Sequence, residues 1–246
     1  MSSIAIIGGT GLTKLTNLSI LKREIRISAY GEPSAPLTRG TLAGKEVVFL
    51  PRHGAGHTIP PHRVNYRANI AVLKDVGVDK VIAVNAVGGI SPNMPPQKLV
   101  IPDQIIDYTW SRHHTYFEGG EQEVVHVDFT RPYCDTLRDD ILKAANQAKV
   151  DLVSQATYAA MQGPRLETTA EIDRLERDGC HIVGMTGMPE AALARELGLC
   201  YASIGVVANW AAGRGEGEIT LDDIERHLAV GIEQVKRVLE QLIPAL

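Results

Sequence analysis

The sequence predicts an α/β fold, in which strands alternate with helices along the chain. Short runs of β-branched and apolar residues recur through the 246 residues, and segments of helical periodicity separate several of them. Several runs are apolar at every position, which is typical of central strands covered by helices on both faces. We find no repeat, low-complexity tract or linker, so we expect one domain over residues 1–246.

Seven strands are predicted from these apolar runs. Each is short enough for a strand that crosses the sheet once. They cover Ile4–Ile7, Val47–Leu50, Lys80–Val84, Leu99–Asp107, Gln155–Met161, His181–Met185 and Leu199–Val207.

Four helices are predicted from apolar periodicity and from residues that start or stop helices. Thr168 and Glu171 have the spacing of a capping box, and Gly179 fits the end of that helix. The last helix carries an apolar stripe that begins at Ile224. The helices cover about Asn65–Val76, Thr168–Asp178, a short segment from Pro189 to before Gly198, and Leu221–Ile243.

Composition and charge exclude several classes of protein. The formal net charge of −4 argues against a nucleic-acid binder driven by counterion release, although a local basic pocket stays possible. The three cysteines form no Cys-x-x-Cys pair, which favours a reducing compartment over a zinc ribbon or a disulfide framework. The first residues lack the basic segment of a signal peptide, and the charge-free stretch Leu197–Gly213 contains polar residues typical of a strand. We therefore expect a cytoplasmic protein without a membrane span.

Glycines, hydroxyls and an Arg-His pair follow the predicted strands, where ligands of open α/β sheets gather. Glycine lets backbone N–H groups approach an anion, and Thr hydroxyls with an Arg fork complete a phosphate cradle. The first turn matches neither the dinucleotide fingerprint nor the P-loop. No single turn of this kind is informative, but such residues at several strand ends together predict a site for phosphate or a phosphorylated ligand. The strand ends are Gly8-Gly9-Thr10-Gly11, Arg52-His53-Gly54, Asn85-Ala86, Thr186-Gly187 and Ala208-Asn209.

The histidines and Glu167 allow more than one interpretation. His53 and His57 are four residues apart, but glycines and a Pro-Pro pair around them argue against a helical zinc site. We expect them to face a polar ligand, while a solvated loop whose histidines pair with carbonyls stays an alternative. Glu167 directly precedes a helix cap, so it either serves the site or favours the helix dipole. His126 likewise either contacts a ligand or lies on the surface.

Several motifs in fixed order together resemble a known family, the trimeric nucleoside phosphorylases, which include purine nucleoside and methylthioadenosine phosphorylases. The resemblance runs nearly end to end and is closest to the methylthioadenosine branch. It implies a twisted, mixed central sheet flanked by helices, a homotrimer, and phosphorolysis of a purine nucleoside without metal or organic cofactor. The motifs are Ile6-Ile7-Gly8-Gly9-Thr10-Gly11-Leu12, Arg52-His53-Gly54 with His57-Thr58-Ile59, Val64-Asn65-Tyr66-Arg67-Ala68-Asn69-Ile70, Gly163-Pro164-Arg165-Leu166-Glu167-Thr168, and Gly184-Met185-Thr186 with Pro189-Glu190.

The resemblance assigns roles to individual residues. Met185 would lie under the ribose, Leu166 against the base, and His57 near the 5′ end of the sugar. His126 would reach the site of the neighbouring subunit. Asn85 stands where adenosine-type relatives have Thr. The phosphate ligands would be Thr10, Arg52, His53, Asn85, the Ala86 backbone and Thr186, and the catalytic residues Asn209, Glu167 and His53.

The base pocket departs from the methylthioadenosine branch. Adenine-specific relatives have an Asp and, two residues on, a second Asp where this chain reads Asn209-Trp210-Ala211. They have a small hydroxyl residue where this chain has Glu167. An amide can donate to a 6-oxo group and bond N7, while a carboxylate accepts the N1–H that 6-oxopurines carry. The resemblance therefore implies hypoxanthine or guanine nucleosides.

The 5′ pocket departs from the inosine branch. Inosine-specific relatives place a His at the start of the last helix, where this chain has Leu221 or, with a one-residue gap, Asp222. An apolar Leu221 fits a methylthio group, although it also fits the stripe of its helix. The combination implies a branch specific for 5′-methylthioinosine. The alternatives are inosine or guanosine phosphorolysis, methylthioadenosine phosphorolysis, and a nucleotide-binding protein without catalysis.

Overall fold

One mixed sheet of eleven strands runs through the part of the chain described by this computed structural model, residues 3–12, 17–120 and 123–246. Five helices flank the sheet in the same residues. The strands are β1 (Ile4–Gly8), β2 (Ser19–Glu24), β3 (Leu37–Leu42), β4 (Lys45–Pro51), β5 (Lys80–Gly89), β6 (Leu99–Val100), β7 (Gln104–Asp107), β8 (Leu152–Val153), β9 (Thr157–Ala160), β10 (Ile182–Gly184) and β11 (Cys200–Trp210). The helices are α1 (Tyr66–Asp75), α2 (Asp135–Gln147), α3 (Thr169–Arg177), α4 (Glu190–Glu196) and α5 (Leu221–Ala245).

The centre of the sheet is parallel, and this directs four strand ends to one edge. Strand β1 lies between β4 and β5, and β11 pairs with β5 along residues 80–89. Beyond its contact with β1, β5 turns to pair antiparallel with β10 through Gly88 and Gly89. A Cβ at Gly89 would stand 1.9 Å from the Met94 carbonyl oxygen, so only glycine fits this turn.

The hydrophobic core has two main layers, one on each face of the sheet. Helices α1 and α4 contribute to the layer that includes Ile70 and Leu193. Helix α5 packs on β11 and α2, and its predicted stripe, including Leu228 and Leu239, is buried in the other layer. The apolar residues of β1 are buried on both sides, as predicted for a central strand. No helix in the described ranges is both long and apolar enough for a membrane span.

The predicted elements are present, with one strand divided. The segment Leu99–Asp107 forms β6 and β7 instead of one strand, because Pro102 has no N–H to donate to the ladder. Strands β2, β3 and β8 and helix α2 are additional to the prediction. Strand β2 is exposed at five of its six positions, so no apolar run marks it.

A disulfide corrects the expectation drawn from the cysteines. Cys134 and Cys200 are bonded, with 5.2 Å between their Cα atoms. The backbone N–H of Cys134 donates to the Tyr201 carbonyl at 2.8 Å, so the fold brings the start of α2 to the start of β11. A cysteine count cannot reveal such a long-range approach. Cys180 is free and buried.

The capping box at α3 is confirmed. The Thr168 hydroxyl accepts from the Glu171 backbone N–H at 3.1 Å, and the Glu171 carboxylate accepts from the Thr168 N–H at 2.7 Å. These bonds satisfy two donors that a helix start otherwise leaves free. They also fix the backbone next to Glu167.

We expect Thr168→Ala to lower the free energy of unfolding by about 1 kcal/mol, because it removes one side of the cap. Urea denaturation at fixed protein concentration measures this change. Thr168→Ser keeps the hydroxyl and should recover most of the loss. Equal unfolding midpoints for the alanine variant and the unmodified protein would contradict the role given to the cap.

Candidate active site

A cavity of about 540 Å³ opens at the edge where the carboxyl ends of β1, β4, β5 and β11 meet. Residues that follow β10, among them Met185 and Thr186, complete its wall. The predicted site residues that line the cavity are Thr10, Arg52, His53, His57, Ala86, Leu166, Glu167, Met185, Thr186, Asn209, Ala211 and Leu221. Asn85, Trp210 and His126 were predicted for the site and are not among the lining residues.

Arg52 is the buried cation of the cavity wall. Its Nε and Nη2 donate to the two Glu190 carboxylate oxygens at 2.7 and 2.8 Å, and Nη1 donates to the Val84 carbonyl at 3.0 Å. The Tyr201 hydroxyl donates to Glu190 at 2.8 Å. Burial alone would lower the pKa of Arg52, but the Glu190 carboxylate outweighs burial and raises that pKa above its usual value. Two N–H bonds of the guanidinium are left for a ligand.

The glycine turn after β1 is shaped by this arginine. A Cβ on Gly9 would stand 2.8 Å from Arg52 Nη1 and 2.6 Å from the Val84 carbonyl oxygen. Only glycine therefore lets Thr10 and the guanidinium share this part of the wall. The Arg52 backbone N–H donates to the Gly8 carbonyl at 2.8 Å, which ties β4 to the turn.

His53 is buried and neutral. Burial, together with the charge of Arg52, lowers the pKa of His53 to about 4. Its Nδ1 lies 2.8 Å from the Ile59 carbonyl oxygen, which can only accept, so Nδ1 carries the proton and Nε2 carries a lone pair. His57 is exposed on the same loop, with its ring centroid 4.8 Å from that of His53. Neutral His53 can therefore accept a hydrogen bond from a ligand.

Asn85 does not contact the cavity as the resemblance implies. It is 1% exposed, and its Nδ2 donates to the Thr186 hydroxyl oxygen at 2.7 Å. Ser203 donates to Asn85 Oδ1, also at 2.7 Å. The Asn85 side chain is thus held between a residue of the neighbouring strand β11 and the segment that follows β10. Thr186, which does line the cavity, stands between Asn85 and any ligand.

Glu167 and Asn209 supply the carboxylate and the amide of the cavity. Burial raises the pKa of Glu167, and neighbouring Arg165 pairs with Glu171 instead, at 2.7 Å. A group that donates a hydrogen to Glu167 would offset its lost hydration. Asn209 Nδ2 donates one hydrogen to the Trp210 carbonyl at 2.7 Å, which leaves a second N–H and Oδ1 for a ligand.

Trp210 corrects one prediction, since it lies off the cavity wall while Asn209 and Ala211 lie on it. The register of β11 shifts between Val207 and Asn209, so simple alternation does not apply at this end of the strand. A Cβ on Gly215 would stand 2.9 Å from the Trp210 Cβ, which shows where the ring packs.

An apolar wall covers another part of the cavity. It consists of Ile219, Leu221 and Ile224, at and before the start of α5. Leu221, which is 76% exposed, lines the cavity, and Asp222 is not among the lining residues. Met185 and Leu166 also line the cavity, and Leu166 lies half exposed at its rim.

Arg112 is a residue that sequence reasoning missed. Its guanidinium donates to the backbone carbonyls of Met185 at 2.9 Å, Gln162 at 2.8 Å and Met161 at 3.2 Å. It thereby joins the loop that carries Glu167 to the segment that carries Thr186. A lone arginine in a polar stretch gives no sequence signal for this task.

His126 is exposed and is not among the residues that line the cavity. Within the described ranges, no three His, Cys, Asp or Glu residues are grouped so that they could hold a metal ion.

Three comparisons place the chain among known proteins. The family model of the phosphorylase superfamily matches residues 3–244. A probable S-methyl-5′-thioinosine phosphorylase from Xylella fastidiosa is 50% identical over 241 residues, which cover 98% of this chain and 97% of that protein. A 6-oxopurine nucleoside phosphorylase from Pyrococcus furiosus is 42% identical over 250 residues, covering 99% of this chain and 93% of that protein.

A solved structure agrees with the fold. Methylthioadenosine phosphorylase from Schistosoma mansoni, in complex with adenine, superposes with a TM-score of 0.96 and 29% identity. The match covers 100% of this chain and 92% of that one. The predicted mixed sheet flanked by helices is thus confirmed, and the chain belongs to the phosphorylase superfamily.

Proposed function

We propose that the protein catalyses the phosphorolysis of S-methyl-5′-thioinosine to hypoxanthine and 5-(methylthio)ribose 1-phosphate, as a pentosyltransferase of purine salvage. One observation carries the proposal: a single cavity combines an anion cradle, a carboxylate–amide pair and an apolar wall. The relatives named as S-methyl-5′-thioinosine phosphorylases, at 50% identity and above, support it.

Phosphate is the co-substrate of the proposed reaction. An oxygen of phosphate forms a bond to C1′ as the C1′–N9 bond breaks, and the electron pair of that bond leaves with the purine. Phosphate would be held by Arg52, Thr10, Thr186 and the Ala86 backbone. Neutral His53 would accept a hydrogen bond from a protonated phosphate oxygen. A fixed phosphate converts a second-order encounter into a first-order step. Loss of one preorganised donor typically raises the barrier by about 3–4 kcal/mol.

The carboxylate–amide pair supports a 6-oxopurine. Glu167 would accept N1–H, and Asn209 would donate to O6 and bond N7. Adenine carries a lone pair at N1, so its N1 would face the Glu167 carboxylate as a second acceptor. Each buried group left unpaired costs about 1–3 kcal/mol, which adds up to strong discrimination.

The apolar wall supports a methylthio group at the 5′ position. Ile219, Leu221 and Ile224 offer no hydrogen-bond partner to a 5′-hydroxyl, and contact with apolar side chains favours a methylthio group over a hydroxyl, although Leu221 is 76% exposed in the single chain. A methylthio group loses nothing in such surroundings, and its sulfur is readily polarised. Met185 would lie under the ribose, Leu166 against the base and His57 near the 5′ end.

The nearest alternative is an inosine or guanosine phosphorylase. Relatives at 42–43% identity that are named 6-oxopurine nucleoside phosphorylases favour the same base and leave the 5′ group open. A methylthioadenosine enzyme would have to place adenine against Glu167. A nucleotide-binding protein without catalysis would release no base when phosphate is added.

Three further properties stay predictions. We infer that the reaction needs no metal or organic cofactor, because phosphate attack and purine departure require only fixed donors. We expect a homotrimer from the resemblance, with His126 completing a neighbouring site. We still expect a cytoplasmic protein from the small number of cysteines, and the Cys134–Cys200 bond counts against that expectation.

A triple variant should move the substrate preference toward 6-aminopurine nucleosides. It combines Glu167→Ser, Asn209→Asp and Ala211→Asp. We expect the ratio of kcat/KM for methylthioinosine over methylthioadenosine to fall by about a hundredfold or more, since two donor–acceptor matches are reversed. An absorbance assay on both nucleosides measures the ratio. Trp210→Phe, off the cavity wall, is the matched control and should leave the ratio unchanged. An unaltered ratio in the triple variant would refute the base assignment.

Leu221→His should favour inosine over methylthioinosine by about tenfold relative to the unmodified protein, because a 5′-hydroxyl gains a partner worth about 1–1.5 kcal/mol. The same assay compares kcat/KM for the two nucleosides. Asp222→His places the same side chain one position on, outside the cavity, and should not alter the preference. If inosine is already the better substrate of the unmodified protein, the role given to the apolar wall is wrong.

Light scattering should give a mass three times that of the 26.7 kDa chain. His126→Ala should then raise the KM for nucleoside without altering this mass, because the side chain is exposed and would contact only a neighbour's ligand. A monomer with full activity would contradict both statements.

A further inference from the structure

Three buried polar side chains form a chain of hydrogen bonds behind the cavity wall. They are Ser203 on β11, which is 2% exposed, Asn85 on β5, which is 1% exposed, and Thr186 after β10, which is 7% exposed. Ser203 Oγ lies 2.7 Å from Asn85 Oδ1, and Asn85 Nδ2 lies 2.7 Å from Thr186 Oγ1. Of the three, only Thr186 lines the cavity. Its backbone is held separately, since its N–H donates to the Tyr158 hydroxyl at 3.4 Å.

This chain has a direction. A hydroxyl can donate or accept, but an amide oxygen only accepts and an amide nitrogen only donates. Ser203 donates to Oδ1, and this orientation of the amide turns Nδ2 toward Thr186. The Thr186 oxygen then accepts from Nδ2 and keeps its own hydrogen for another partner. That hydrogen can be donated to a ligand in the cavity or to the neighbouring Tyr158 hydroxyl, which also interacts with the Thr186 side chain.

The reversed amide would have the opposite effect. With Oδ1 toward Thr186, the threonine hydroxyl would donate to Asn85 and offer only lone pairs to the cavity. Lone pairs repel an anion, whereas a hydroxyl hydrogen binds it. The orientation of one buried amide thus decides whether Thr186 attracts or repels phosphate.

We propose that Ser203 and Asn85 are positioning residues, which orient the Thr186 hydroxyl so that it donates to the anionic co-substrate. The inference rests on the proposed function and deepens it, because it assigns Asn85 to a role behind the phosphate ligand. Neither residue touches the substrate. Both act through the one hydrogen of Thr186.

A double-mutant cycle tests this dependence. Ser203→Ala removes the donor that holds Oδ1, and we expect it to raise the KM for phosphate about tenfold, as for one lost hydrogen bond. The KM for the nucleoside should stay unchanged. In a Thr186→Val background, which has no hydroxyl to orient, Ser203→Ala should not raise the phosphate KM further. Ser28→Ala is the matched control, since the Ser28 hydroxyl bonds the Gly31 carbonyl away from the cavity.

Two results would overturn the inference. One is the same fold-change from Ser203→Ala in both backgrounds, because Ser203 would then act on phosphate by another route. The other is an unchanged phosphate KM in Ser203→Ala itself. Should Ser203→Ala fail to fold, Ser203→Cys fills the same space with a weaker donor and should raise the phosphate KM by a smaller factor. If the unmodified protein releases no hypoxanthine when phosphate is added, the proposed function itself fails. That result is distinct from the two outcomes above, which concern only the role of Ser203.

Discussion

The buried ion pair of Arg52 and Glu190 is the constraint on which the site depends. Both side chains are fully buried, and a charge in that position is tolerated only when it is paired and hydrogen-bonded. Removal of one partner from such a pair typically costs about 3–5 kcal/mol. The pair therefore requires three elements to meet in one arrangement. They are the end of β4, which Arg52 directly follows, α4, which carries Glu190, and β11, which carries Tyr201. The carbonyl of Val84 adds β5 to the same arrangement.

This requirement explains features that look unrelated along the chain. Gly9 lacks a side chain because Nη1 of Arg52 occupies the space where a Cβ would stand. The Pro189-Glu190 motif opens a short helix, and its carboxylate is consumed by the arginine instead of facing a ligand. The guanidinium is thus fixed before any ligand arrives, so little side-chain entropy would be lost if an anion bound to it.

The sequence predicted the edge at which the cavity lies and many residues that line it, because strand ends and glycine turns are local signals. It could not predict which way a polar side chain on a strand faces. Asn85 and Trp210 were expected in the site and lie behind the wall, while Arg112 and Ser203 carried no local signal. The bond between Cys134 and Cys200 and the pairing of Glu190 with Arg52 are contacts between distant segments, which residue spacing does not encode. Helix α2 was not predicted either, because its start has no side-chain cap that would mark it in the sequence.

The charges around the cavity explain why hydroxyl direction matters. Arg52 is the one Lys or Arg residue among the described residues that line the cavity, and Glu190 neutralises it. His53 is neutral, because burial and Arg52 lower its pKa to about 4. The wall therefore offers phosphate almost no net positive charge, and its attraction comes from oriented N–H and O–H dipoles. In such a site a single reversed dipole cannot be masked by excess charge. Oriented dipoles without an unpaired cation would also hold an anionic ligand less tightly than an unpaired arginine would.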